Sequence, residues 1–203
     1  MIGRIRAAAF AGALLVVLPC HAQLTGPFQV KSGIVESTMD GLGRQTMVLY
    51  FDDYGAKQAT YTTSSVDLGT AKIVSHTLHI SLANGTVYVV NLDEKTGFKT
   101  TIPLPLTLAL AVGMTPELKS LLKVTNLPDR VFLGKTCSGI EANAMGVPAK
   151  AWAWKGLTLY MEASAGGKTI VMKATKLTPD VPVSADKFKL PIGIRIAELR
   201  QIQ

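Results

Sequence analysis

Apolar and polar residues alternate along much of the chain, which is the period of a half-buried β-strand. The clearest stretch spans residues 75–82. Its two sets of side chains point to opposite faces: His76, Leu78, Ile80 and Leu82 on one, and Ser75, Thr77, His79 and Ser81 on the other. Asn84-Gly85 follows, and both residues tolerate the positive φ of a type I′ hairpin turn. Residues 86–92 and 98–102, separated by a turn at 93–97, complete a predicted three-stranded meander.

A second meander is predicted in the C-terminal half. Residues 149–154, 157–163 and 169–177 are its strands, and Lys155-Gly156 and residues 164–168 join them. The glycines in these connections permit tight reversals of the chain. A further strand is predicted at 44–53, where both faces are partly apolar.

The segment between the meanders has a different composition. Residues 104–124 are rich in Leu, Ala and Met, and Thr115-Pro116-Glu117 has the order of a helix N-cap followed by its first two positions. We therefore predict helical turns at 107–112 and 116–123 that lie against the sheet. Ser184 is predicted to cap one more short turn at 185–188, which ends before Pro191. The elements together predict a mainly β (α+β) fold.

The N-terminus has the features of a cleavable signal peptide. Arg4 and Arg6 supply a positive region, and residues 7–18 form an apolar stretch. Small residues at Cys20 and Ala22 predict cleavage after Ala22 and a single domain over 23–203. The apolar stretch is shorter than the ~20 residues that span a bilayer. Pro19 before Cys20 argues against lipid attachment. We expect export to the periplasm.

Charge and cysteine content narrow the classes of partner. Loss of Arg4 and Arg6 lowers the formal charge from +7 to +5, and the remaining Lys and Arg residues are scattered singly. This pattern argues against nucleic acid as a partner. Cys20 leaves with the signal peptide, so Cys137 has no partner for an intramolecular disulfide and is expected to be buried.

The sequence contains no recognisable catalytic centre. His76 and His79 are three residues apart on a strand, so they point to opposite faces and cannot share a metal ion. The acidic pairs Asp52-Asp53 and Asp93-Glu94 are read as solvated turns, with calcium binding as the alternative. No nucleophile elbow, phosphate loop or dinucleotide fingerprint is present. We predict no catalytic residues, no metal and no cofactor; an enzyme that uses Cys137 remains a minor alternative.

Paired tryptophans form the most distinctive feature. Trp152 and Trp154 share one face of a strand, whereas the opposite face carries only the small side chains of Ala151 and Ala153. The pair is either part of the core or the wall of an apolar ligand pocket. In the pocket interpretation, the further ligand-binding residues are Leu157, Leu159, Met161 and Met172. A lid is then predicted from the intervening segment, with Leu106, Leu108, Leu110, Leu118 and Leu122.

Short segments spread over most of the chain resemble the landmarks of a family of exported bacterial proteins. They are residues 50–55 (YFDDYG), 133–137 (LGKTC), 151–157 (AWAWKGL), 174–177 (ATKL) and 188–191 (FKLP). That family is similar in layout to the periplasmic lipoprotein carriers LolA and LolB. The resemblance implies an incomplete antiparallel β-barrel or strongly curved sheet, with short helices on its concave face around a cavity for acyl chains. It implies no catalytic residues.

Two functions from different classes follow as expectations. The first is a periplasmic, non-enzymatic binding or carrier protein for a lipid, an acyl chain or another apolar ligand. The carriers begin with a long amphipathic helix, whereas here only residues 23–27 precede the first extended stretch. The cover must therefore come from residues 104–123 or be missing. The second is a cell-envelope interaction module whose basic face contacts another protein or anionic headgroups.

Overall fold

The computed structural model describes residues 26–41, 43–67, 69–101, 120, 123–144 and 147–198. The predicted signal peptide and the predicted helical turns at 107–112 lie outside the described residues. Of the turns predicted at 116–123, only residues 120 and 123 are described. No helix in the described ranges is long and apolar enough to cross a membrane.

Most of the described residues lie in twelve β-strands. In chain order these are β1 (Gly33–Asp40), β2 (Arg44–Asp52), β3 (Lys57–Asp67), β4 (Lys72–Ser81), β5 (Thr86–Asn91), β6 (Thr96–Thr101), β7 (Thr125–Phe132), β8 (Lys135–Ala144), β9 (Val147–Trp154), β10 (Leu157–Ala165), β11 (Lys168–Pro179) and β12 (Arg195–Glu198). Two short 3₁₀ helices, Asp53–Gly55 and Ala185–Phe188, accompany them.

All twelve strands belong to one curved sheet that does not close. The order across it is β12-β6-β5-β4-β3-β2-β1-β11-β10-β9-β8-β7. Neighbouring strands are antiparallel, except that β12 runs parallel to β6. The first and last long strands, β1 and β11, pair along Gly33–Asp40 and join the two halves. The mainly β, unclosed architecture confirms the predicted fold class.

Both predicted meanders are confirmed, as β4-β5-β6 and β9-β10-β11. The predicted type I′ turn at Asn84-Gly85 is wrong, because only Gly85 has a positive φ, of 77°. The Gly85 N–H donates to the Leu82 carbonyl, and the Asn84 side chain accepts from the Thr86 N–H. This side-chain bond holds a longer loop that ends in a left-handed glycine. At Lys155-Gly156, both residues have positive φ (50° and 84°), as a type I′ turn requires.

The C-terminal segment crosses one face of the sheet as a strap, residues 180–194. It leaves β11 where the Asp180 N–H donates to the Ser32 carbonyl at 2.8 Å. The predicted cap is confirmed: the Ser184 hydroxyl accepts from the Asp186 N–H at 3.4 Å. Apolar strap residues then pack on a buried cluster of the sheet; they are Phe188, Leu190 and Ile194, over Leu78, Ile80 and Val90.

Candidate functional site

Cross-strand register assigns each strand residue to one of two faces. Directly paired residues lie on the same face, and consecutive residues alternate. One face holds Val35, its β2 partner Leu49, and the β3 partner of Leu49, which is Thr60. The same face continues on the other side of β1 through Met39, Met172 and Met161, and then Ala151 and Ile140. We call this the cavity face and its opposite the outer face.

A cavity of about 200 Å³ opens on the cavity face. Its wall consists of Phe28, Val35, Ser37, Met47, Leu49, Gln58, Thr60, Gly156, Leu157, Thr158 and Met172. Thr60 and Thr158 belong to strands that are four places apart in the sheet. In a flat sheet, four spacings of ~4.8 Å would separate them by about 19 Å. Because both reach one small cavity, the sheet must curl around it, and the cavity lies on the concave side.

The N-terminal segment closes one end of this cavity. The Phe28 N–H donates to the Tyr54 carbonyl and the Gln29 N–H to the Lys155 carbonyl, each at 2.9 Å. Phe28 meets Phe51 edge to face, with ring centroids 5.1 Å apart. A Cβ on Gly156 would approach the Pro27 carbonyl oxygen to 2.4 Å, so only glycine fits here. Beyond Gly156, a second hollow of about 490 Å³ lies along β7, β8 and β9.

Charged side chains avoid the cavity face. In strands β1 to β11, the register places almost every charged paired residue on the outer face. These are Glu36, Asp40, Arg44, Asp52, Lys57, Asp67, Lys72, Lys99, Arg130, Lys135, Glu141, Lys150, Glu162, Lys173 and Lys176. The exception among the paired residues described is Lys168, at the start of β11. Since burial of an unpaired charge is strongly unfavourable, such a face suits an uncharged occupant.

The cavity face is polar on one side of the cavity and apolar on the other. Within residues 58–62 of β3 and 77–81 of β4, the side chains on this face carry amides, hydroxyls or an imidazole: Gln58, Thr60, Thr62, Thr77, His79 and Ser81. Those of β8 to β11 are mainly small or thioether side chains: Ile140, Ala142, Ala151, Met161, Met172 and Ala174. Burial lowers the pKa of the His79 imidazole, which favours its neutral form.

The structure separates the six sequence-predicted ligand residues. Met161 and Met172 are cross-strand partners on the cavity face, and Met172 lines the cavity. Leu157 also lines it, although its register partner is Trp154, because it is the first residue of β10 and follows directly on the turn at Lys155-Gly156. Trp152 pairs with Tyr160, which precedes Met161 and therefore points to the opposite face. Both tryptophans thus point to the outer face. Leu159 is fully buried at the bulge of β10. The five predicted lid residues, Leu106, Leu108, Leu110, Leu118 and Leu122, lie outside the described residues.

Trp152 is only 2 % exposed and belongs to one buried cluster with Phe28, Val35, Phe51, Leu157 and Leu159. Its Nε1 donates to the Pro128 carbonyl at 3.0 Å, and the Arg130 guanidinium lies 4.3 Å from its ring centroid. Phe132 and Tyr160 stack on each other at 4.9 Å beside it. The neighbouring Trp154 ring has the ammonium groups of two lysines, Lys135 and Lys155, each at 5.0 Å. These contacts give Trp152 the environment of a core residue.

Most cavity residues were missed from the sequence. Val35 and Ser37 lie in β1, and Gln58 and Thr60 in β3, where no strand was predicted. The signal was present in β3 as Ala59 and Tyr61 alternating with polar residues, but its cavity-side positions are hydroxyls and an amide rather than apolar residues. A hydrophobicity pattern alone therefore understates this strand.

The other candidate groups are placed as follows. His76 and His79 lie on opposite faces, as predicted. The His76 Nδ1 lies 2.8 Å from Asp93, whose pKa is lowered by the hydrogen bonds from His76. Cys137 is buried, and burial raises the pKa of its thiol. Within the part of the chain that the structure describes, no three His, Cys, Asp or Glu side chains converge to hold a metal ion.

Comparison with known proteins shows similarity of fold. No protein-family model matches the sequence, and no curated protein matches it either. An uncharacterized conserved protein from Thermus thermophilus superposes with a TM-score of 0.53 at 7% identity, over 84% of this chain and 92% of that one. MucB superposes with a TM-score of 0.51 at 9% identity, over 85% of this chain. This chain spans 61% of the length of MucB.

A lipoprotein-sorting protein domain from Vibrio parahaemolyticus is also similar, at 12% identity over 78% of this chain and 89% of that one. Its TM-score is 0.35, so the fold is assigned on the two higher scores. At these identities the likeness concerns the fold alone. The curved, unclosed sheet is the layout that the resemblance to LolA and LolB implied.

Proposed function

We propose that this protein is a periplasmic, non-enzymatic binding or carrier protein that holds a lipid, an acyl chain or another apolar ligand. In this proposal, residues 1–22 are a signal peptide cleaved after Ala22, and residues 23–203 form one binding domain. The observation that carries the proposal is the concave face of the sheet, which is uncharged along the cavity while its reverse carries the charged residues.

The cavity supplies the chemistry that an apolar ligand needs. Val35, Leu49 and Leu157 offer branched aliphatic surface, and Met47 and Met172 add flexible thioethers that adapt to varied chains. Each methylene that moves from water to such a wall contributes about 0.8 kcal/mol. A cavity of about 200 Å³ is below the roughly 300–1,000 Å³ of drug-sized ligand sites, so it fits one acyl-chain segment rather than a bulky ligand.

The first test is native mass spectrometry, with lipid extraction, of residues 23–203 purified from a periplasmic fraction without detergent. A co-purifying mass of lipid size supports the proposal. A protein that carries no lipid, and that also fails to bind any acyl compound added to it, contradicts the proposal.

Adjacent positions on β11 provide a matched pair of variants. Met172 lines the cavity, whereas Lys173 points from the outer face. Met172→Glu places a charge against the ligand and is expected to lower the lipid-bound fraction at least about tenfold, since an unpaired buried charge is costly. Lys173→Glu is the control and should leave the bound fraction unchanged. Circular dichroism verifies that both variants remain folded.

A second candidate function rests on the outer face. Arg130, Lys135 and Lys155 gather around Trp152 and Trp154, and within the described residues none of the three cations forms an ion pair. Aromatic and arginine side chains are enriched at protein interfaces. The alternative is therefore an envelope interaction module. Association with a partner or with anionic vesicles that weakens with added salt supports it, and salt-independent association argues against its electrostatic form.

A further inference from the structure

The boundary between the two halves of the cavity face runs through the cavity itself. Leu49 pairs with Thr60 and Met47 with Thr62, so an apolar strand lies directly beside a polar one. Leu49, Met47, Thr60 and Gln58 all line the cavity. A ligand in the cavity would thus contact both kinds of surface at once.

Gln58 is the polar group that most needs a partner. It is only 7 % exposed, and its Nε2 donates to the Gly55 carbonyl at 2.8 Å. Within the described residues, no hydrogen bond reaches its Oε1. A buried amide oxygen without a donor is unfavourable by about 1–3 kcal/mol. The side chain therefore offers an acceptor to a ligand that brings its own hydroxyl or N–H group.

Thr60 and His79 extend this polar wall away from the apolar half. Thr60 lines the cavity, and His79 is its direct partner on β4. Because burial lowers the pKa of His79, the imidazole is neutral near pH 7 and adds no charge. Lys168 begins β11, four residues before Met172, about 13 Å along the strand. No cation of the described cavity face is thus placed beside Gln58 and Thr60.

We infer that the cavity takes an uncharged amphiphile, whose acyl chain packs on Leu49 and Met172 and whose hydroxyl-bearing headgroup hydrogen-bonds to Gln58 and Thr60. This inference rests on the proposed function and narrows it. A monoacylglycerol has the required chemistry. A fatty-acid carboxylate loses its hydration on entry and meets no compensating positive charge, so the cost of desolvation weakens its binding.

The test compares two ligands with the same chain: 1-monodecanoylglycerol and decanoate, measured at about pH 8 where the carboxyl is ionised. Displacement of a bound uncharged fluorescent probe, 1-N-phenylnaphthylamine, reports binding of both. We expect the monoacylglycerol to bind at least about tenfold more tightly than decanoate.

Thr60→Val keeps the shape of the side chain and removes its hydroxyl. We expect the dissociation constant of monodecanoylglycerol to rise several-fold relative to that of the probe in this variant, because the probe makes no hydrogen bond to the lost hydroxyl. Thr63→Val, on the outer face of the same strand, is the matched control and should alter neither. Because the polarity change is small, both variants are expected to fold.

The outcomes separate this inference from the proposed function. If decanoate binds as tightly as the monoacylglycerol, or Thr60→Val leaves the preference intact, the headgroup site is refuted while acyl binding stands. If neither ligand nor the probe binds, the proposed function fails and the headgroup site fails with it.

Discussion

Gly139 lies directly beneath Trp152, and replacing it tests whether that indole is a fixed part of the core. The two residues are partners in neighbouring strands β8 and β9. A Cβ at Gly139 would lie 2.5 Å from the Trp152 Nε1, 2.9 Å from its Cδ1 and 3.0 Å from the Leu127 Cβ. The backbone of Gly139 does not have positive φ, so alanine itself is compatible with the local conformation. Any destabilisation by Gly139→Ala must therefore come from the collision.

The expected loss of stability has two contributions, because the added methyl group displaces the Trp152 ring. Overpacking in a dense core is unfavourable by about 1–3 kcal/mol. Displacement also breaks the 3.0 Å hydrogen bond from Nε1 to the Pro128 carbonyl, which adds about 1–3 kcal/mol if the groups stay buried. We expect Gly139→Ala to lower the free energy of unfolding by about 2–6 kcal/mol. For a domain of this size, the melting temperature should fall by roughly 4–24 °C.

Urea unfolding followed by far-ultraviolet circular dichroism measures the effect, because that signal does not depend on tryptophan. The same substitution in a Trp152→Leu background is the control. With the indole gone, the added methyl group has space, and the penalty of Gly139→Ala should shrink by at least about 1 kcal/mol. An equal penalty in both backgrounds, or a wild-type-like stability for Gly139→Ala, would refute the packing assigned to Trp152.

Three further predictions follow. Leu159→Ala removes a fully buried side chain and should lower the free energy of unfolding by about 2–5 kcal/mol, whereas Ile192→Ala, at a fully exposed position, should change it by less than about 0.5 kcal/mol in the same urea titration. Burial lowers the pKa of His79 in the folded state, so the unfolded chain binds the additional proton. The melting temperature should therefore fall as the pH drops below about 6.5, and His79→Gln should flatten this part of its pH dependence. Burial raises the pKa of the Cys137 thiol, so a thiol reagent should modify it slowly in the native protein and rapidly in urea; equal rates would contradict the buried placement.

Local patterns were enough to predict much of the fold. Two meanders, their glycine-containing turns and the Ser184 cap depend on contacts between residues near in sequence, and all are present. The type of the turn at Asn84 was wrong because the side-chain bond to Thr86 competes with the left-handed backbone expected there.

Two of the strands that were not predicted, β3 and β7, depart from simple alternation of apolar and polar residues. In β3, one face is formed by hydroxyls and an amide that a cavity, rather than a core, accepts. In β7, Pro128 and Asp129 fall in a bulge, and the polar sequence around them gives little apolar signal. Pairing with neighbouring strands, β2 and β4 for β3 and β8 for β7, stabilises the extended conformation of both strands where their own apolar pattern is weak.

The alternation of side chains along a strand is enough to place Trp152 and Trp154 on one face, and the predicted turn at 164–168 places Met161 and Met172 on neighbouring strands. That the tryptophans face away from the methionines follows instead from the observed pairing of β9 with β10. A shift of one residue reverses the face of every side chain in a strand. The bulge at Thr158–Tyr160 shifts the register by one residue within the β9–β10 hairpin, and the bulge at Glu36–Ser37 shifts it in the long-range pairing of β1 with β11. The cavity is therefore a product of register and curvature, which no single segment of the sequence encodes.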